Sequence, residues 1–300
     1  MPRFGVAGYP PAFERSGFRR DRVKICQWLA SLGLDALELQ MTYGPRTTEA
    51  RCREYRKAAA DHGIKLSVHA SYFIVLTSDD AVKLGNSAET LRRTYELAHL
   101  LGADVIVLHP GPLYGASKPE AINTRFVENL GEVLDGIGRP ETGLFIETAG
   151  KMGQLGSLDE ILAISDQMPG VFPCIDFGHL HARTLGTLAT EEAIESVFAR
   201  LASRGYFDPS RRIHFHYTPI HYGHRGEIMH KKIHDRYEEE APRKTGKDAI
   251  DLPREGFFHP RFEPIARCLR KWQVECTVIS ETKDSQEEGA LALKAAFDAK

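Results

Sequence analysis

The chain has 300 residues, 42% hydrophobic and 27% charged, which describes a soluble globular protein long enough for one large α/β domain or two small ones. A formal net charge of −2, with thirteen histidines uncounted, excludes a global basic field for a polyanionic partner, so any nucleic-acid contact has to be local. Five cysteines that are scattered and never spaced C-x-x-C exclude a disulfide framework and a thiolate zinc site, and no apolar stretch approaches the ~20 residues of a spanning helix; a cytoplasmic protein without membrane contact is expected.

Short apolar runs alternate with longer amphipathic segments from end to end, the pattern of a parallel sheet made of βα units. In chain order the spacing predicts a strand over Phe4–Gly8, a helix over Asp21–Leu32, a strand over Ala36–Gln40 and a helix over Thr47–His62. Next come the strand Lys65–His69, the helix Ser87–Leu101, the strand Val105–His109 and the helix Pro119–Ile137. The strand Leu144–Glu147, helix Leu158–Gln167, strand Phe172–Asp176 and helix Thr190–Arg204 follow. The strands Ile213–Tyr217 and Thr277–Glu281, with helices Arg261–Trp272 and Glu287–Ala299, complete eight units. Eight such units in one domain spanning residues 1–300 predict a (β/α)8 TIM barrel. Residues 218–260, rich in His, Lys, Arg, Gly and Pro, read as an elaborated loop after the seventh strand, on the catalytic face.

Six apolar runs end in a potential metal ligand: His69, His109, Glu147, Asp176, His216 and Glu281. In a barrel the C-terminal strand ends share one mouth, so residues remote in sequence meet there. One such histidine alone is more often a core or surface residue, but a carboxylate after an apolar run, as in LFIE and VISE, must meet a cation or sit at a solvated rim. Six donors at six strand ends argue for ions held by imidazole and carboxylate, a set that suits Zn2+, Mn2+ or Fe in an open catalytic site. Asp176-Phe177-Gly178-His179 turns through a glycine so that His179 approaches the same mouth. In His214-Phe215-His216 the period of two puts both imidazoles on one face, either inward or outward, and an inward face would let one ligate while the other supports it.

These residues resemble the endonuclease IV family of apurinic/apyrimidinic endonucleases, among the xylose-isomerase-like barrels, over most of the chain. The resemblance is carried by HASYFIVL at His69–Leu76, LHPG at Leu108–Gly111, IETAGKMGQLGS at Ile146–Ser157, CIDFGH at Cys174–His179, HFHYTPIHYG at His214–Gly223 and SET at Ser280–Thr282. It implies a site of two or three ions, usually Zn2+, that hydrolyses the phosphodiester 5′ to abasic sites in double-stranded DNA, with Glu147 and Glu281 as catalytic carboxylates; a monomer is expected. By position, His69 and His109 would hold one ion and Glu147 would bridge to a second held by Asp176, His216 and Glu281. His179 and His230 would serve a third. The family's wedge, which fills the gap left by a flipped nucleotide, maps to Tyr72 and Phe73. One departure concerns the third ion: the aspartate expected two residues before His230 is Ile228, and Glu227 is the adjacent substitute, with His224 as a neighbour.

Metal ions would supply the nucleophile and charge relief that phosphodiester hydrolysis needs, and Lys231, Lys232 and Arg236 would extend the attraction along the phosphates. Two rivals remain: a sugar isomerase or epimerase of the same superfamily, holding one divalent ion in the Glu147, Asp176, His216, Glu281 quartet, and a lesion-binding protein without turnover. The added histidines and the Tyr72-Phe73 pair favour the nuclease.

Overall fold

The chain runs β1 (Arg3–Ala7), α1 (Pro11–Arg15), α2 (Ile25–Ser31), β2 (Ala36–Gln40), α3 (Glu49–His62), β3 (Lys65–His69), α4 (Ala81–Leu101) and β4 (Val105–Leu108). It continues through α5 (Pro119–Gly136), β5 (Gly143–Glu147), α6 (Leu158–Gln167), β6 (Val171–Asp176), α7 (Phe177–Arg183), α8 (Glu191–Ser203) and β7 (His214–Tyr217). A hairpin, β8 (Ile220–Gly223) with β9 (Gly226–His230), precedes α9 (Phe262–Lys271), β10 (Thr277–Ser280) and α10 (Gln286–Asp298). The computed structural model describes residues 1–113, 119–138, 140–208, 210–239 and 252–299. Arg243, Lys244 and Lys247, basic residues of the long loop, lie outside the described residues.

The strands β1, β10, β7, β6, β5, β4, β3 and β2 pair in that order, all parallel, and the first closes on the last. This is a (β/α)8 TIM barrel, and its eight strands fall within a residue of the expected bounds. Closure buries both faces of a parallel sheet, which is why β4 (VIVL) and β5 (GLFIE) are buried along their whole length and carry almost no alternation. The helices begin where a side chain can take up a free backbone N–H. Thr48 caps α3, Asp80 caps α4, Thr190 caps α8, and Ser157 forms a capping box with Glu160 at α6. Gly63 and Gly102, both at φ 69°, end α3 and α4 in the left-handed conformation and turn the chain back into the barrel.

Three departures from the sequence expectation have local causes. The helix α4 begins at Ala81 rather than Ser87, because Asp80 accepts from both Val82 N and Lys83 N and so nucleates the earlier turn. Asp176-Phe177-Gly178-His179 opens the helix α7 rather than a glycine turn: the Asp176 carboxylate accepts from His179 N at 2.6 Å. Within the loop of 218–260, the hairpin β8–β9 takes the place of irregular chain. No helix among the described residues is long and apolar enough to cross a membrane.

Candidate metal centre

The register of the barrel brings the strand ends level. Asp176 lies opposite His216 across β6 and β7, and Gln40 lies opposite His69 across β2 and β3. Glu147, the last residue of β5, is fully buried, and its two oxygens face different groups. Oε2 is 3.1 Å from His69 Nε2 and 3.3 Å from His109 Nε2, while Oε1 is 3.2 Å from His216 Nδ1 and 3.1 Å from His179 Nδ1. Two donors ~2.0–2.1 Å from one tetrahedral ion stand roughly 3.3 Å apart, so these spacings suit shared cations. Donor atoms of His69, His109 and Glu147 lie within 4.8 Å of one another, and so do those of Glu147, Asp176, His216 and Glu281.

A third group joins His179, Glu227 and His230. Glu227 Oε2 is 3.7 Å from His179 Nε2, and its Oε1 is 3.6 Å from His230 Nε2. In a regular strand, residues 228 and 230 would share a face. The hairpin register pairs His221 with Met229 and Tyr222 with Glu227, leaving Ile228 as the extra residue of a bulge. That shift of parity turns Ile228 out to solvent, 41% exposed, and puts Glu227 beside His230. Gly226, at φ 88°, permits it, since a Cβ there would meet the Gly150 carbonyl, and Glu227 N donates to that same carbonyl at 3.0 Å. His224 is exposed at the hairpin turn and is not one of the three residues of this group.

The backbone orients the imidazoles. His69 Nδ1 donates to the Ala70 carbonyl, His179 Nδ1 to the Thr148 carbonyl, both at 2.9 Å, and His230 Nδ1 to the Glu281 carbonyl at 3.0 Å. Each donation leaves the Nε2 lone pair free to face a carboxylate, the orientation a ligating histidine requires; for His179 that carboxylate is Glu227, and its carbonyl-bound Nδ1, though near Glu147 Oε1, is not a donor to a cation. Asp176 spends Oδ1 on the α7 cap, and among the described residues its buried Oδ2 has no hydrogen-bond partner, nor does the buried Nδ1 of His109. A cradle of carboxylates and outward-turned lone pairs, with an orphaned buried oxygen, fits divalent cations.

Protons do part of a cation's work here. Burial alone would lower the His69 pKa, but the hydrogen bond and charge of Glu147 raise it to about 9. His179 and His216 are also held well above the ordinary value against burial, by Asp176 and Glu147 for the first and by Cys174, Glu38 and Glu147 for the second. His109 goes the other way, to about 3, because burial outweighs the pull of Glu147. Glu147 stays far below the usual carboxylate range despite burial, through His109 and His216, whereas burial pushes Glu281 up.

Around the mouth stands an apolar rim. Tyr72, 55% exposed, stacks on His109 with ring centroids 5.3 Å apart, and Phe73, 65% exposed, lies 6.4 Å from Tyr43. Lys231 does not stand free toward this opening: it is buried over the Phe258 ring and 3.7 Å from Asp235. Arg236 pairs with Glu238 and covers Phe257, while Lys232 is exposed. The sequence reading passed over Glu38 on β2, fully buried and in contact with His214 and His216. A charge in the middle of the apolar run ALELQ was the available signal.

Residues 26–298 match the model of the xylose isomerase-like TIM barrel family. An uncharacterized protein of Methanocaldococcus jannaschii is 28% identical over 77% of this chain and 82% of its own length. A probable endonuclease 4 of Nitratidesulfovibrio vulgaris is 33% identical over 60% of this chain, which spans 64% of that relative. Among solved structures, endonuclease IV from Thermus thermophilus superposes with a TM-score of 0.67 at 19% identity, covering 98% of this chain and 97% of that one. D-psicose 3-epimerase superposes with a TM-score of 0.58 at 16% identity, covering 97% and 96%. At these identities the structural likeness speaks to the fold alone.

Proposed function

Since the chain belongs to the xylose isomerase-like TIM barrel family, we propose that it is a metal-dependent apurinic/apyrimidinic endonuclease of DNA repair, hydrolysing the phosphodiester 5′ to abasic sites in duplex DNA. The observation that carries this reading is Glu147, whose two oxygens face separate groups, with a third group of His179, Glu227 and His230 alongside. That is more donors than one ion takes. The likeness to a probable endonuclease 4 supports the same reading.

His69, His109, Glu147, Asp176, His216 and Glu281 would hold two ions, and His179, Glu227 and His230 a third; Zn2+ suits the donors, with Mn2+ or Fe as substitutes. When bound, such ions supply Lewis acidity and charge relief to a phosphodiester. The protein's own share is positioning: three backbone carbonyls fix the imidazoles, and burial of Glu147 keeps competing solvent from the donors. Tyr72 and Phe73, exposed at the rim, would fill the gap left by the flipped lesion.

The quartet of Glu147, Asp176, His216 and Glu281 favours a second reading, a sugar isomerase or epimerase with one ion and two glutamates as acid and base. A duplex with a single abasic site, incubated with metal-loaded protein and with a chelator control, separates the two. Incision 5′ to the site is expected. No incision, with about one ion per chain and interconversion of ketoses, would replace this reading by the second.

A further inference from the structure

His216 is turned the opposite way to its neighbours. His69, His179 and His230 give Nδ1–H to a backbone carbonyl and leave Nε2 to face a carboxylate, although the carbonyl-bound Nδ1 of His179 also lies 3.1 Å from Glu147 Oε1; His216 instead turns Nδ1 to two carboxylates, 3.2 Å from Glu147 Oε1 and 3.5 Å from Glu281 Oε1. For Nδ1 to ligate, the proton of a neutral ring must sit on Nε2, and at zero exposure that N–H needs a protein acceptor. Glu38 reaches in from β2, with Oε1 3.0 Å from His216 Nε2 as a charge contact, and neither atom has a hydrogen-bond partner among the described residues, so each is the nearest candidate to satisfy the other. Its other oxygen is occupied: Oε2 accepts from Ser67 Oγ at 2.9 Å and from His214 Nε2 at 3.0 Å. Those two donors clamp the carboxylate so that Oε1 is the atom left for His216. Another group near that ring, the buried Cys174 thiol, is a weak acceptor.

We propose that Glu38, held by Ser67 and His214, is a positioning residue that keeps the His216 proton on Nε2 and so aims Nδ1 at the cation of the Glu147, Asp176, Glu281 group. The inference rests on the reading of that group as a metal site. It gives His214 its place too, since the period of two along β7 puts it one layer below His216 on the same inner face.

The test uses the full chain as wild type, Glu38→Ala, Glu38→Gln and Cys174→Ala. Zn2+ affinity is measured by competition with a chromophoric chelator, and the His216 tautomer of the loaded protein by long-range 15N–1H NMR. Partners that orient a ligating histidine are worth roughly 10–100-fold in metal affinity. Glu38→Ala should lose that much and show a His216 no longer uniformly protonated on Nε2. Glu38→Gln, keeping the volume and one acceptor oxygen, should fall between, and Cys174→Ala should match wild type. Wild-type affinity in Glu38→Gln overturns the inference even if Glu38→Ala fails to fold, as does an unchanged tautomer in Glu38→Ala or an altered one in Cys174→Ala. A wild-type chain that takes up no divalent ion sinks the metal reading and this inference together, whereas loaded wild type with unaffected Glu38 variants sinks this inference alone.

Discussion

Substituting Glu147→Gln removes one charge from the point where His69, His109, His179 and His216 converge at 3.1–3.3 Å. In the metal-free protein His69, 1% exposed, has its pKa raised to about 9 from 6.5, with Glu147 overriding burial. At 1.36 kcal/mol per tenfold, the difference is worth roughly 3 kcal/mol of stability. A raised pKa stabilises fully below the unfolded value, near pH 6.5, and the contribution is lost as the pH rises through about 9. His179 and His216, also raised, act in the same direction. Urea unfolding in excess chelator should therefore show Glu147→Gln less stable than wild type by about 3 kcal/mol or more at pH 6, with the gap closing toward pH 10. A gap of equal size at both pH values, or none at pH 6, would refute the argument. With metal present, the same variant should lose incision and more than one ion per chain.

Glu227→Ala should remove about one ion equivalent, measured by elemental analysis, while leaving those of the Glu147 groups; an unchanged count would mean that His179 and His230 hold nothing with it. Tyr72→Ala should weaken the preference for abasic over intact duplex in a binding titration without changing metal content, because the ring is exposed at the rim and stacks on His109 rather than joining a donor group. Ser157→Ala should cost about 1 kcal/mol in urea unfolding by breaking the α6 capping box, with metal content unaltered.

Much of this was legible because strands and candidate ligands announce themselves together. The apolar runs fixed the barrel strands, and His69, Glu147 and Asp176 are the terminal residues of β3, β5 and β6. His109 and Glu281 stand one residue beyond β4 and β10, where the alternation of apolar run and polar loop still marks them. What was hidden depends on contacts between remote segments. Glu38 lies mid-strand, and its partners Ser67, His214 and His216 come from two other strands, so nothing near it in sequence gives its buried charge a reason. The α7 start reads as a glycine turn because its cap, Asp176, is also the end of β6. The place of Glu227 rests on a bulge set by the approach of Gly226 to Gly150, and the residue spacing alone points to Ile228 instead.

Elemental analysis of the purified chain, with positions checked by anomalous diffraction, bears most directly on the whole account. Two or three divalent ions per chain, one on each side of Glu147, are predicted, with the count falling by more than one in Glu147→Gln. A metal-free protein that stays metal-free after dialysis against Zn2+ or Mn2+, or ions bound away from His69, Glu147 and His216, would contradict it.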